Sequence, residues 1–218
     1  MTIGLRSKLE LLKSSHRKTC IVGASGSVAS IKTLQLCQRI MQADLNVVLL
    51  ATQHALPFLT AEIENITDAA PEAYLENHWQ QISLDKNLPL ALYFKDSDEW
   101  QGWQQRSDPV LHIELRKVAS AVVVAPLSAN TMAKLANGLC DNLLTCVLRA
   151  WDFNSLNAKG SVIVAPAMNT CMYEHPVTEI QQKFLRQTLG VNVLQTVEKT
   201  LMCGDTGKGA MASIDTIV

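Results

Sequence analysis

Ala119-Ser-Ala-Val-Val-Val-Ala-Pro-Leu-Ser-Ala-Asn-Thr131 is the stretch that decides the fold. From Ala121 to Ala125 it is apolar, rich in β-branched residues and uncharged. A strand buried on both faces, as in a parallel sheet, has that composition. Pro126 is expected to end it. Ser128, Asn130 and Thr131 then lead into Met132, Leu135 and Leu139, a helical pattern broken at Gly138. A buried strand therefore runs through a polar turn into a helix. Helix N-termini expose N–H groups and the positive end of a dipole, which suits an anion or the polar edge of a ring. In open α/β sheets ligands sit at the carboxyl ends of strands, where this turn must lie. Ser and Asn also cap helices that bind nothing, so the turn alone leaves both readings open.

Upstream, Thr19 to Val22 reads as a strand and Gly23-Ala-Ser-Gly26-Ser27 as a tight turn. Val28 to Ala43 follows as a helix, with Ile31, Leu34, Cys37 and Met41 near helical spacing. The glycines let backbone approach a ligand and Ser27 offers a hydroxyl. The turn is neither a Walker loop nor a complete dinucleotide fingerprint, and it suits a single phosphate or small polar group. A tight βα turn needs glycine even without a ligand. Leu45 to Leu50 is a second strand, with Thr52 and His54 beyond it facing the same crevice. Strand, helix, strand implies a right-handed crossover and a parallel sheet.

Downstream, Asp141 is expected to cap a helix striped by Leu143, Leu144, Val147, Leu148 and Trp151. Ser161 to Ala165 is the next strand, and Pro166-Ala-Met-Asn169 leaves its carboxyl end. Pro176 begins a helix running to Leu189 and closed by Gly190, before a last strand from Val191 to Leu194. Asn169 thus sits at the sheet's carboxyl edge, where its amide could bind a carboxylate or simply shape the turn.

Residues 60–108 interrupt this rhythm and read as an irregular insertion. Ala61 to Ala70 suits a short helix, Pro71 to Leu88 is irregular, and Leu90 to Phe94 suits a short strand. Trp100 and Trp103 lie in a polar stretch, which fits either a surface or subunit contact or a small cluster beneath a long loop. Pro109 can start a helix with His112 in its first turn, within reach of Ser128 to Thr131. Residues 1–17 read as a short frayed lead-in to one domain over 18–218. At the other end, Gly204, Gly207 and Gly209 make residues 200–211 a candidate flap, with Cys203 near its start.

Bulk properties narrow the field. The chain has 218 residues, 48% hydrophobic, with a formal charge of −1. That fits one folded domain and supplies no basic footprint for nucleic acid. No apolar run approaches a membrane span, and residues 1–17 lack a signal-peptide core. Six cysteines occur without a Cys-x-x-Cys pair, which reads as reduced thiols in a cytosol-like compartment, with no structural zinc.

Five blocks occur in order: Gly26-Ser27-Val28-Ala29, His112, Pro126-Leu-Ser-Ala-Asn-Thr131, Pro166-Ala-Met-Asn169-x-x-Met172 and Cys203-Gly-Asp-x-Gly-x-Gly-Ala-Met211. Together they resemble the flavin-containing cysteine decarboxylases over about residues 18–218, most of all the branch that serves coenzyme A synthesis. The resemblance implies a Rossmann-like (flavodoxin-like), doubly wound, mainly parallel α/β sheet with helices on both faces. It implies a homotrimer binding FMN at subunit interfaces, with 4′-phosphopantothenoylcysteine as the small-molecule substrate. Gly26, Ser27, Val28, Thr52, His54, Ser128, Ala129, Asn130, Thr131 and Ala167 would then contact FMN. His112 would be the base, offered across the interface. Asn169 would bind the substrate carboxylate, and Thr200, Met202 and Met211 would hold the substrate under the flap. Cys203 would protonate the intermediate.

In that family the substrate's thiol-bearing carbon is oxidised to a thioaldehyde, CO₂ leaves to give an enethiolate, and re-reduction yields 4′-phosphopantetheine. This chain departs from the usual pattern at Tyr173, where the family usually has Trp, and in a 60–88 region longer than is typical. Relatives also continue past the position of Val218 into a helix. Three rival readings are a peptidyl-cysteine decarboxylase, a flavin prenyltransferase and a non-catalytic phosphatase-inhibitory subunit. The Cys203 block speaks against the first, and the Pro-Ala-Met-Asn and Cys203 blocks against the second. The third is disfavoured by His112, Asn169 and Cys203 all being present, without an acidic tail.

Overall fold

Alternation within the apolar runs builds a sheet with two buried faces. Ile21, Val48, Leu50, Leu92, Phe94, Val122 and Val124 pack on one side, while Cys20, Val22, Val47, Leu49, Tyr93 and Val123 pack on the other. The structure is a computed structural model and describes residues 4–63, 71–79, 88–153, 160–200 and 206–218. Its strands are β1 (Thr19–Ala24), β2 (Asn46–Ala51), β3 (Ala91–Phe94), β4 (Ala119–Leu127), β5 (Val162–Pro166) and β6 (Asn192–Val193). They form one six-stranded sheet in the order β3-β2-β1-β4-β5-β6, every pair parallel. A further ribbon pairs β7 (Val197–Thr200) with β8 (Thr206–Ala210) in antiparallel register. This is the doubly wound Rossmann-like sheet that the motif resemblance implied. The winding reverses between β1 and β4, the place where open sheets open a crevice at their carboxyl edge.

Helices cover both faces. Between β1 and β2 runs a 3₁₀ turn (Val28–Lys32) followed by α2 (Thr33–Gln42), and after β2 comes α3 (Leu56–Ile63). These pack on one face together with Leu75 and Trp79, which follow the short α4 (Pro71–Tyr74). The opposite face carries α1 (Leu5–Ser14), α6 (Leu111–Val118), α7 (Ala129–Asn137), α8 (Leu143–Arg149) and α10 (Pro176–Gln187). The short α5 (Asp96–Gln101) follows β3, α9 (Thr170–Tyr173) follows β5, and α11 (Ile214–Ile217) is the last element.

Several expectations change. The lead-in is not frayed: Leu9 and Leu12 of α1 are buried in the core, and Lys8 is 6% exposed. Lys8 Nζ donates to Tyr93 O at 2.9 Å and lies 4.9 Å from the centroid of the Phe94 ring. Burial lowers its pKa, since the charged form loses hydration. Two buried leucines on one side of a charged helix were too weak a pattern to mark it. Pro126 does not end its strand; β4 continues to Leu127. Nor is 60–108 only an insertion, because it contains β3, a strand of the central sheet, and α5 that follows it. The helix expected from Ala61 starts earlier, at Leu56, and residues 64–70 fall outside the described set. Asn142, not Asp141, caps α8. Its side chain accepts from Thr145 N at 2.9 Å and Thr145 Oγ1 accepts from Asn142 N, a reciprocal capping box. Asp141 instead pairs with Lys134 at 2.7 Å. Trp100 and Trp103 are 71% and 50% exposed, so they form no cluster beneath a loop within this chain.

Candidate active site at the carboxyl edge of the sheet

Three loops meet above the β1/β4 reversal, and one buried serine ties two of them. Ser25, fully buried, donates from Oγ to Pro126 O at 2.8 Å and accepts from Ser128 N at 2.8 Å. Its own carbonyl accepts from Ser30 Oγ at 3.0 Å. The β1 turn and the β4 turn are thus clamped by a side chain between them. Thr52 N donates to Ala24 O at 2.9 Å and brings in the β2 loop. Gly26 has to be glycine here, since a Cβ would sit 2.8 Å from His54 Cβ. At Ser128 the hydroxyl accepts from Thr131 N at 3.3 Å and caps α7, as the sequence suggested.

Together these loops border an open cavity of about 920 Å³ lined by Gly26, Thr52, His54, Ser128, Asn130 and Thr131, and by Pro57, Phe58, Asp96 and Lys134. Six of the ten residues expected around a flavin therefore share it. Three of the other four adjoin these residues in the chain, and Ala167 is bonded beside them. Ser27 caps the 3₁₀ turn, accepting from Ala29 N at 3.4 Å. Val28 begins that turn and is half-exposed, and Ala129 begins α7. Ala167 is buried and donates its N–H to Leu127 O at 3.0 Å.

The cavity's charge is set by residues that the sequence reading passed over. Asp96 accepts from Leu143 N at 2.9 Å, at the start of α8. Burial raises its pKa, the Leu143 N–H opposes that, and the Asp141 charge adds to it. Lys134 binds Asp141 and holds that carboxyl below the usual range. No short-range pattern marks Ser25 or Asp96, because each acts through a loop or helix start far away in the chain. Among the described residues no His, Cys, Asp and Glu cluster could hold a metal ion, and no helix is long and apolar enough to cross a membrane.

The residues expected to hold substrate lie one strand further along. Asn169 caps α9, accepting from Cys171 N at 2.8 Å. The ribbon leans on this loop: Met168 N donates to Gly209 O at 3.0 Å. Gly209 has φ +125°, and a Cβ there would sit 2.3 Å from Met168 O. Met211, buried, follows β8 directly. Thr200 ends β7, with its side chain outside the described set. Met202 and Cys203 lie outside the described residues, as does the whole 201–205 part of the expected flap, so the expected acid has no placement here.

His112 lies apart from these loops. It stands in the first turn of α6 as foreseen, yet it does not line the cavity beside Ser128 to Thr131. Its partner is Glu99 of α5. His112 N donates to Glu99 Oε2 at 2.9 Å, and Nδ1 lies 2.5 Å from Oε1. The Glu99 side chain is 6% exposed and that of His112 is 25% exposed.

Known proteins place this architecture. The family model described as Flavoprotein matches residues 8–218. Mouse phosphopantothenoylcysteine decarboxylase is 41% identical over 207 residues, covering 94% of this chain and 86% of that one. A solved PPC decarboxylase mutant complexed with pantothenoylaminoethenethiol is 39% identical, with a TM-score of 0.73 over 93% of this chain and 94% of the other. A structure described as the FMN binding protein AtHal3 is 38% identical, with a TM-score of 0.70 over 93% of both chains. With those likenesses running through the sheet and the loops that build its cavity, the chain belongs to the phosphopantothenoylcysteine decarboxylase family of flavoproteins.

Proposed function

We propose that the protein binds FMN in the β1/β2/β4 cavity and converts 4′-phosphopantothenoylcysteine to 4′-phosphopantetheine and CO₂. The observation that carries this is the meeting of the Gly26, Thr52–His54 and Ser128–Thr131 loops on one cavity, in a chain so similar to a phosphopantothenoylcysteine decarboxylase. The residues present fit the cofactor. A helix start with Ser128 and Thr131 suits its phosphate, Gly26 leaves room for close backbone approach, and Pro57 and Phe58 offer apolar walls for a ring. Bound there, FMN supplies a two-electron acceptor and donor, which an α-carboxylate needs before it can lose CO₂.

The chain's own groups do the rest. Asn169 would donate its amide N–H to the substrate carboxylate. His112 would accept a proton at Nε2, the ring atom turned away from Glu99. Met211 and the β7/β8 ribbon would cover the substrate and exclude water. Cys203 would return a proton after CO₂ has left. Support for that step comes from the solved relative in which a cysteine is replaced by serine and pantothenoylaminoethenethiol, an enethiol, is held. We further propose a homotrimer in which each cavity receives His112 from a neighbour. His112 does not line its own chain's cavity, and exposed Trp100 lies beside Glu99 on α5.

The test is an absorbance spectrum followed by assay. The purified protein is expected to carry a flavin band and to release CO₂ from phosphopantothenoylcysteine, in preference to a peptide ending in cysteine. Cys203→Ser should still release CO₂ but stop at an enethiol. A protein that neither carries nor takes up FMN would overturn the reading, and normal phosphopantetheine formation by Cys203→Ser would remove the cysteine from its role.

A further inference from the structure

Glu99 is a buried carboxylate whose one ion-pair partner among the described residues is the imidazole of His112. Burying a carboxylate is expensive unless hydrogen bonds and a countercharge compensate. Here both oxygens are spent on a single residue. Oε2 accepts from His112 N, and Oε1 meets Nδ1. The first contact has a local reason, since Val110 at the start of α6 makes no side-chain cap and Glu99 supplies the missing acceptor. The second has none. A cap needs one oxygen, and a Gln, Ser or Asp nearer in the chain would provide it without burying a charge.

Among the described residues no other ion pair uses the charge. From α8, Cys146 faces the same region. Burial pushes its thiol up to about 11, with the Cys140 and Glu99 charges adding to the effect, so it stands as a neutral neighbour at physiological pH. The carboxylate is acceptor-only when ionised, so the proton between the two groups belongs to Nδ1. A neutral ring then carries its lone pair on Nε2, on the side away from Glu99. The 25% exposure of the His112 side chain leaves a route to that ring from outside the chain.

We propose that Glu99 is the positioning residue for His112: by holding the backbone N–H and Nδ1–H together, it fixes both the ring's orientation and its tautomer, so that Nε2 is the atom that takes the substrate's proton. The proposal rests on the reading of His112 as the base. It goes further by assigning the carboxylate that prepares that base, a residue 13 positions away on a different helix.

The experiment uses holoprotein with ¹⁵N-labelled histidine, in wild type, Glu99→Gln, Glu99→Ala and His112→Asn. Wild type is expected to show His112 with a bare Nε2. In Glu99→Ala the ring should show mixed tautomers, and kcat per bound flavin should fall between about 10- and 100-fold with KM little changed. Glu99→Gln keeps one acceptor oxygen but can also present its amide N–H₂ to the ring, so it should fall between the two in both readouts. A wild-type tautomer or a wild-type kcat in Glu99→Ala would overturn the proposal. Should that variant yield no holoprotein, wild-type values of both in Glu99→Gln would overturn it equally. A cap alone would lower thermal stability and move neither readout. His112→Asn separates the two levels: if it turns over normally, the base assignment fails, whereas a dead His112→Asn beside a normal Glu99→Ala sinks only the role of Glu99.

Discussion

Asp96 shows how a single side chain can serve a site at some expense to the fold. It lines the cavity and accepts the Leu143 N–H, yet burial raises its pKa. A carboxyl that keeps its proton to higher pH in the fold than in the unfolded chain leaves the folded state with more bound protons between those two pKa values. Stability therefore falls as pH rises through that window, and the loss persists above it. Asp96→Asn keeps an acceptor for Leu143 N–H and removes the charge. It is expected to raise Tm at pH 7 by roughly 1–3 °C. Melting curves at descending pH should show the gain shrinking and vanishing below the ordinary Asp range; a gain that grew on acidification would contradict the burial argument. Asp96 was not singled out from the sequence because its acceptor role joins the end of β3 to the start of α8. Ser25 was read only as part of a glycine turn, though its hydroxyl joins residues 103 positions apart.

At the scale of elements, the β7/β8 ribbon is the part proposed to cover the substrate. It is held to the Asn169 loop by Met168 N–H on Gly209 O, and Gly207 and Gly209 leave no room for a Cβ against Thr170 and Met168. Gly209→Ala combines an unfavourable φ with that collision, so β8 must move off the loop. The expected outcome is intact flavin binding, a stability loss of about 1–3 kcal/mol and a fall in turnover on the order of 100-fold. Flavin content, Tm and CO₂ release measured on one preparation check it, and full turnover would show that the ribbon does not position substrate. The glycines were legible as a mobile-looking tail; their packing partner was not, because nothing in residues 200–211 names the loop after β5. α1 was missed for the opposite reason. Leu9 and Leu12 are buried on a helix otherwise dominated by charge, so its apolar stripe is narrow.

For the whole molecule, the reversal of winding between β1 and β4 decides where loops can converge, and it puts the cavity and the Asn169 loop along one edge. His112 stays outside that cavity, which is the geometric reason to look to a second copy of the chain. Mixing His112→Asn with Asn169→Ala subunits, each inactive alone, tests this. In random trimers with sites shared between neighbours, an equal mixture should regain about a quarter of wild-type activity. Refolding the two together and assaying CO₂ release checks it. No recovery would confine each site to one chain, and the trimer proposal would fall with it.

Alternating and continuous apolar runs specified the parallel strands, and polar or glycine turns at their ends specified which edge carries chemistry. Those signals are local, because burial on two faces and helix capping act within a few residues. The motif blocks added the family. What only the tertiary structure decided are the pairings between distant elements: Glu99 on His112, Ser25 between two loops, Asp96 on Leu143, β8 on Met168, and His112 outside its own chain's cavity. Such contacts depend on how finished helices and strands pack, and packing leaves no period or spacing in the chain to be read beforehand.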